Sequence, residues 1–163
     1  VAFTQATIDY HIAPNQSAEP RITAMDDYPR LEHNNKNESF ITVEQEHTDE
    51  LGHLNHVQAV RFLESAREDW YRQCGQPVFD PAGFGTVVVN INYSYRGECF
   101  LGETLRIITA PVKRGHKSFV LRHEIIKPDG STPIDGLATC LIMDMKAHKA
   151  IPVPNWIAEH FPD

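Results

Sequence analysis

The stretch NHVQAVRFLESAREDWYRQCG, Asn55 to Gly75, decides the fold. Asn55 is a favourable N-cap residue, and Gln58 stands three positions on, the spacing of a capping box. Gly75 suits the position just past a helix end, where a left-handed backbone closes the last turn. Between them Val57, Ala59, Val60, Phe62, Leu63, Ala66 and Trp70 cover more than one narrow stripe. The spacing predicts a helix from His56 to about Cys74, largely enclosed by the rest of the chain. Glu64 and Arg67, at i and i+3, are expected to pair with each other or a neighbour.

The helix is flanked by strands. Ser39 to Glu46 begins β-rich, and a loop runs from His47 to Leu54. Downstream, Val87, Val89, Ile91, Tyr93 and Tyr95 alternate with Val88, Asn90, Asn92 and Ser94, a period of two. Leu101-Gly102-Glu103 turns into a strand from Thr104 to about Val112. A turn over Arg114 to His116, with Gly115 as its permissive residue, leads to a strand from Phe119 to Lys127. Asp129-Gly130 is a strong hairpin signal, and Leu137 to Met145 reads as a last apolar strand. Pro152 to Phe161 holds a short apolar segment around Trp156 and Ile157 that can dock on the sheet. Turns of hairpin length imply an antiparallel sheet, and one helix against such a sheet is an α+β architecture. Residues 1–37 hold Pro14, Pro20 and Pro29 and sustain no period. They are expected to be an irregular N-terminal arm, with residues 38–163 as the one domain.

Composition excludes several functions. A formal net charge of −7 is wrong for non-specific nucleic-acid binding, which phosphate neutralisation drives. No apolar run is long enough to span a bilayer, so no membrane partner is expected. The N-terminal stretch lacks the pattern of a secretory signal. Cys74, Cys99 and Cys140 are odd in number, and no two have metal-binding spacing. Reduced thiols in a cytoplasmic protein are therefore expected.

Chemistry concentrates in TDELGHLNH, Thr48 to His56. A carboxylate, a Gly, two His and an N-cap Asn share a loop that ends at a helix start. Acyl transfer needs those parts. Asp49 can attack a carbonyl or activate water. Free N–H groups at the helix start can stabilise the oxyanion that develops. Gly52 lets the backbone approach a substrate closely. Asn55 aims the helix amides, and His53 either shapes the turn or touches substrate. His47, His53 and His56 with Asp49 match no standard zinc spacing, so no metal is expected.

These residues carry a family resemblance. Asp49, Gly52, His53, Leu54 and Asn55, followed by Phe62, Leu63, Glu64, Ala66 and Arg67, are similar to the pattern of the 4-hydroxybenzoyl-CoA thioesterase family of hotdog proteins. Leu101-Gly102-Glu103, Gly115 with Lys117-Ser118-Phe119, Asp129-Gly130 and Pro152 to Trp156 follow in that family's order, so the likeness spans roughly Phe40 to Trp156. The resemblance implies a five- or six-stranded antiparallel sheet wrapped around one long central helix. It implies hydrolysis of an acyl-CoA to free acid and CoA, without a cofactor. It also implies a homodimer or homotetramer with the active site between subunits. Asp49 falls where the family keeps its catalytic carboxylate, and His56 where a backbone N–H polarises the carbonyl. His53-Leu54-Asn55-His56 departs from the apolar or aromatic residues of aromatic-acyl members, which leaves the acyl group open. A related hotdog class uses a helix glutamate, for which Glu64 is the candidate here.

Lys113, Arg114, His116 and Lys117, with Ser118, are either a solvated hairpin tip or a contact for coenzyme A phosphates. Three other functions stand beside hydrolysis of acyl-CoA. Acyl-carrier-protein thioesters are a close variant. A hydratase on this fold wants His five residues after the Asp, where this chain has Leu54. A non-enzymatic acyl-CoA sensor needs no Asp49 and usually carries a DNA-binding module, of which no basic signal is visible here.

Overall fold

The computed structural model describes residues 7–8, 35–75 and 83–162. Most of the expected arm, residues 1–37, lies outside the described residues. The elements are β1 (Thr7–Ile8), β2 (Asn37–Thr42), α1 (His56–Gln73), β3 (Phe84–Tyr95), β4 (Thr104–Arg114), β5 (Ser118–Ile126), β6 (Ile134–Asp144), β7 (Lys149–Ala150) and α2 (Asn155–Ala158). The strands form one sheet in the order β1-β3-β6-β5-β4-β2, with β7 on β6, and every pairing is antiparallel. Five strands are long, and β1 and β7 add two residues each. This is the α+β hotdog arrangement that the resemblance implied.

α1 lies on the sheet's inner face. Ala59, Phe62, Leu63, Ala66 and Trp70 are buried, a stripe with helical period. They meet Leu105, Ile107, Phe119, Leu121, Ile125, Ala138, Cys140 and Ile142 from β4, β5 and β6. Burying Leu63 alone is worth about 1.5–3 kcal/mol. Enclosure of the helix is one-sided, contrary to expectation. Arg61, Glu64 and Ser65 face out, and Val57 is half-exposed. Arg67 and Tyr71 share the buried face instead, because i+4 steps from Leu63 put them there. Arg67 therefore points inward and makes no ion pair with the exposed Glu64.

A bulge corrects the pattern expected for β3. Val88 pairs with Cys140 and Asn90 with Thr139, so Val89 is an extra residue. One inserted residue exchanges the two faces. Phe84 and Val88 pack inward before the bulge, and Ile91, Tyr93 and Tyr95 after it. Val87 and Val89 do not share the face of Tyr93. Gly136 of β6 pairs with Tyr93, and a Cβ there would overlap the Asn92 carbonyl and the Tyr93 ring. At the β4–β5 turn Gly115 N–H donates to Ser118 O at 2.7 Å, and Gly115 is not in the positive-φ region. In the tail Ile157 and Phe161 are buried beside Trp70 and Phe119, whereas Trp156 stays exposed.

Candidate active site

Residues 48–54 fold back on themselves, with Thr48 bridged to Leu54. The Asp49 N–H donates to His53 O at 2.9 Å, and the Gly52 N–H donates to Asp49 O at 3.1 Å. Gly52 sits at φ +76, a left-handed conformation that a side chain would strain. The Asp49 carboxylate caps this turn. Its Oδ1 accepts from the N–H groups of Leu51 at 2.9 Å and His53 at 3.2 Å. Its Oδ2 accepts from no group among the described residues. The side chain is exposed, so one oxygen is fixed and the other is open to a ligand.

A second loop braces the first. Leu54 N–H donates to Cys99 O at 2.8 Å, Leu101 N–H donates to Gly52 O at 3.3 Å, and His53 bridges Phe100. His53 Nδ1 lies 3.2 Å from Glu98 Oε1, and its ring meets Phe100 edge-on at 5.1 Å. Phe100 N–H donates to Glu103 Oε2 at 2.8 Å, and Lys127 Nζ lies 3.0 Å from both Glu103 Oε1 and the Glu98 carbonyl. The Glu103 hydrogen bond raises the Lys127 ammonium above its ordinary range. Asp49 thus stands on a turn whose partners reach Lys127, just past the end of β5.

The helix start faces the same loop. Asn55 Oδ1 accepts from Val57 N–H at 2.8 Å, and Ala59 N–H donates to Asn55 O at 3.0 Å. The expected box with Gln58 is not formed, because Asn55 takes the amide two residues on. Among the described residues the N–H groups of His56 and Gln58 have no acceptor. Two unsatisfied donors at the positive end of an 18-residue helix can receive developing negative charge.

The neighbouring rings are engaged separately. His47 Nδ1 accepts from Glu44 N–H at 3.0 Å, and its ring packs on Phe62 at 4.9 Å. Tyr95 Oη donates to His56 O at 3.3 Å, with ring centroids 6.3 Å apart. Burial pushes the Tyr95 hydroxyl up, so it stays protonated. No three metal-ligating side chains converge among the described residues. The thiols are poor nucleophiles: burial pushes Cys99 to about 11 and Cys74 to about 12, and raises Cys140. Leu51, Val57, Phe100 and Leu101 leave an exposed apolar rim around the loop.

Asp49, Gly52, His53, Asn55 and His56 therefore come together. Lys113, Arg114, Lys117 and Ser118 do not join them within one chain. They lie at the β4–β5 turn, and β4 begins at Thr104 beside the bracing loop. Eleven strand residues separate the two ends, about 33 Å of strand at ~3.3 Å each. Glu98, Phe100 and Tyr95 are the site neighbours that sequence reading missed. Their places depend on pairings across 40 or so residues of chain, and no local spacing announces them.

A family model described as the thioesterase-like superfamily matches residues 43–161. The long-chain acyl-CoA thioesterase FadM of Escherichia coli is 31% identical over 121 residues, 73% of this chain and 92% of that protein. The structure of Escherichia coli YbaW is similar with a TM-score of 0.64 and 28% identity, covering 76% of this chain and 94% of that one. A 4-hydroxybenzoyl-CoA thioesterase mutant in complex with 4-hydroxybenzoyl-CoA has a TM-score of 0.70 and 23% identity, covering 78% and 99%.

Proposed function

This chain belongs to the thioesterase-like superfamily and is a thioester hydrolase, and from that premise we propose that it cleaves acyl-CoA to free acid and CoA with Asp49 as nucleophile or general base. The observation that carries the proposal is the half-engaged carboxylate. Oδ1 is held by two backbone N–H groups, and Oδ2 stays open on the loop that leads into α1. In the general-base route Oδ2 takes a proton from water as the water attacks the carbonyl carbon. In the nucleophilic route Oδ2 attacks directly, and water then cleaves the mixed anhydride. In both, the N–H groups of His56 and Gln58 receive the oxyanion, and its collapse expels the CoA thiolate.

The acyl group rests on the exposed apolar rim of Leu51, Val57, Phe100 and Leu101 in this proposal. Identity to a long-chain acyl-CoA thioesterase favours long aliphatic acyl groups over aromatic ones. The basic turn at Lys113, Arg114, Lys117 and Ser118 is too far along β4 to serve Asp49 of its own chain. Its contact with CoA phosphates therefore requires a second subunit.

The test is thiol release from a panel of long-chain, short-chain and aromatic acyl-CoAs, with the matching acyl-carrier-protein thioesters alongside. Asp49→Ala should cut kcat by about 10²–10⁴, the usual worth of a positioned acid–base group. Unchanged release in that variant removes Asp49 from the mechanism. Tight binding without release by the parent protein favours a sensor. In a single turnover in ¹⁸O-water, label in Asp49 identifies the nucleophilic route, with water attacking the aspartyl carbon of the anhydride.

A further inference from the structure

α1 carries a permanent charge into the interior. Arg67 is 6% exposed and lies on the buried stripe with Leu63, Ala66, Trp70 and Tyr71. Among the described residues its guanidinium makes one hydrogen bond, a long one of 3.4 Å from Nη1 to Tyr93 Oη. Tyr71, Tyr93, Cys140 and His123 lie close to it, and the Glu64 carboxylate also acts on its charge. Two of them end in sealed polar atoms without a partner among the described residues: the Tyr71 hydroxyl, which reaches the Cys140 thiol but no nitrogen or oxygen, and Nε2 of His123. His123 is fully buried, with Nδ1 3.0 Å from Thr109 Oγ1. Nε2 is a donor in the tautomer where Thr109 donates to Nδ1, and an acceptor in the other.

A lysine or histidine in this place could discharge itself, but a guanidinium cannot. Burying it without a counter-charge is costly. No carboxylate makes an ion pair with Arg67 among the described residues, and Glu64 lies outward on the helix. Polar side chains on three elements stand around the guanidinium: Tyr71 on α1, Tyr93 on β3, whose hydroxyl oxygen accepts from it, and His123 on β5. A buried cation whose one acceptor among the described residues is a long tyrosine contact is complementary to an anion. We propose that Arg67, Tyr71, Tyr93 and His123 form an internal binding site for one small anion, of chloride or carboxylate size, between α1 and the sheet. The site is separate from the Asp49 loop, since Arg67 stands eleven residues beyond His56, about 16 Å along the helix axis.

The experiment is thermal unfolding of the whole chain in sodium chloride or sodium acetate, with ionic strength held constant by the salt of a bulky organic sulfonate. The parent protein should gain several degrees in Tm, saturably, with chloride or acetate. Arg67→Met should lose that dependence whatever its own Tm. Tyr71→Phe keeps the charge and removes one donor, and should raise the half-saturating concentration about tenfold, the worth of one good hydrogen bond. Crystals soaked in bromide should show an anomalous peak within about 3.5 Å of the guanidinium. No anion-specific rise in the parent protein, an equal rise in Arg67→Met, or bromide absent from Arg67 would each overturn the proposal.

Discussion

Replacing Asn55 by Asp keeps the helix cap and adds one negative charge, so it separates the two tasks of the helix start. Aspartate caps as well as asparagine, and an anion at a helix N-terminus is favourable by about 0.3–1 kcal/mol. Stability of Asn55→Asp should therefore match or slightly exceed that of the parent chain. Activity should move the other way. Asn55 Oδ1 lies 2.8 Å from Val57 N, and an oxyanion bound by the adjacent amides would sit about 3 Å beyond them, so the charges would be roughly 5 Å apart. At an effective dielectric of about 20 that repulsion is about 3 kcal/mol. It corresponds to roughly a hundredfold loss of kcat. Asn55→Ala supplies the contrast: it should cost about 1 kcal/mol of stability and far less activity, because the His56 and Gln58 amides remain. Thiol-release kinetics and thermal unfolding on the three proteins decide the matter. A kcat for Asn55→Asp within twofold of the parent, at unchanged Tm, would show that no oxyanion forms at the start of α1.

Asp49→Asn should lose as much activity as Asp49→Ala while keeping more stability, because an amide oxygen can still accept from Leu51 and His53; calorimetry beside kinetics reads both. Gly136→Ala should destabilise by about 1–3 kcal/mol, since its methyl must displace the Asn92 carbonyl or the Tyr93 ring, and urea unfolding measures it. Burial and the nearby Arg67 hold His123 well below its ordinary 6.5, so the unfolded chain binds a proton that the folded one refuses. That stability is full above pH 6.5 and falls as pH drops below it, by up to about 1.4 kcal/mol per pH unit. His123→Gln should flatten this part of a stability–pH curve. Removing Glu98 as Glu98→Ala should lower kcat through the loosened His53 loop, and Glu98→Asp should restore part of it in the same assay.

Local signals carried much of the fold. Asn55 and Gly75 bracket α1 because capping is settled within a few residues, and Gly130, at φ +86, closes the hairpin that Asp129-Gly130 announced. The β3 bulge was not legible, because an extra residue at Val89 is defined by its partner strand and leaves no mark on a run of valines. The i, i+3 spacing of Glu64 and Arg67 predicts a pair with each other or a neighbour. The equally regular relation of Arg67 to Leu63 and Tyr71 on the buried face decided its direction. At the site, Asp49 to His56 are contiguous and could be read as a group. Glu98 enters only through a contact to His53 that folding makes, and the placing of the basic turn at the far end of β4 needs the strand's full length.

Everything proposed for catalysis requires Asp49 and the first amides of α1 to meet at one carbonyl group. A crystal structure with an acyl-CoA analogue whose thioester sulfur is replaced by methylene tests this directly. The ketone oxygen should lie about 3 Å from the His56 or Gln58 nitrogen, with Asp49 Oδ2 facing the carbonyl carbon directly or through one water. A carbonyl bound away from the helix start, or one that Asp49 cannot reach, contradicts the account.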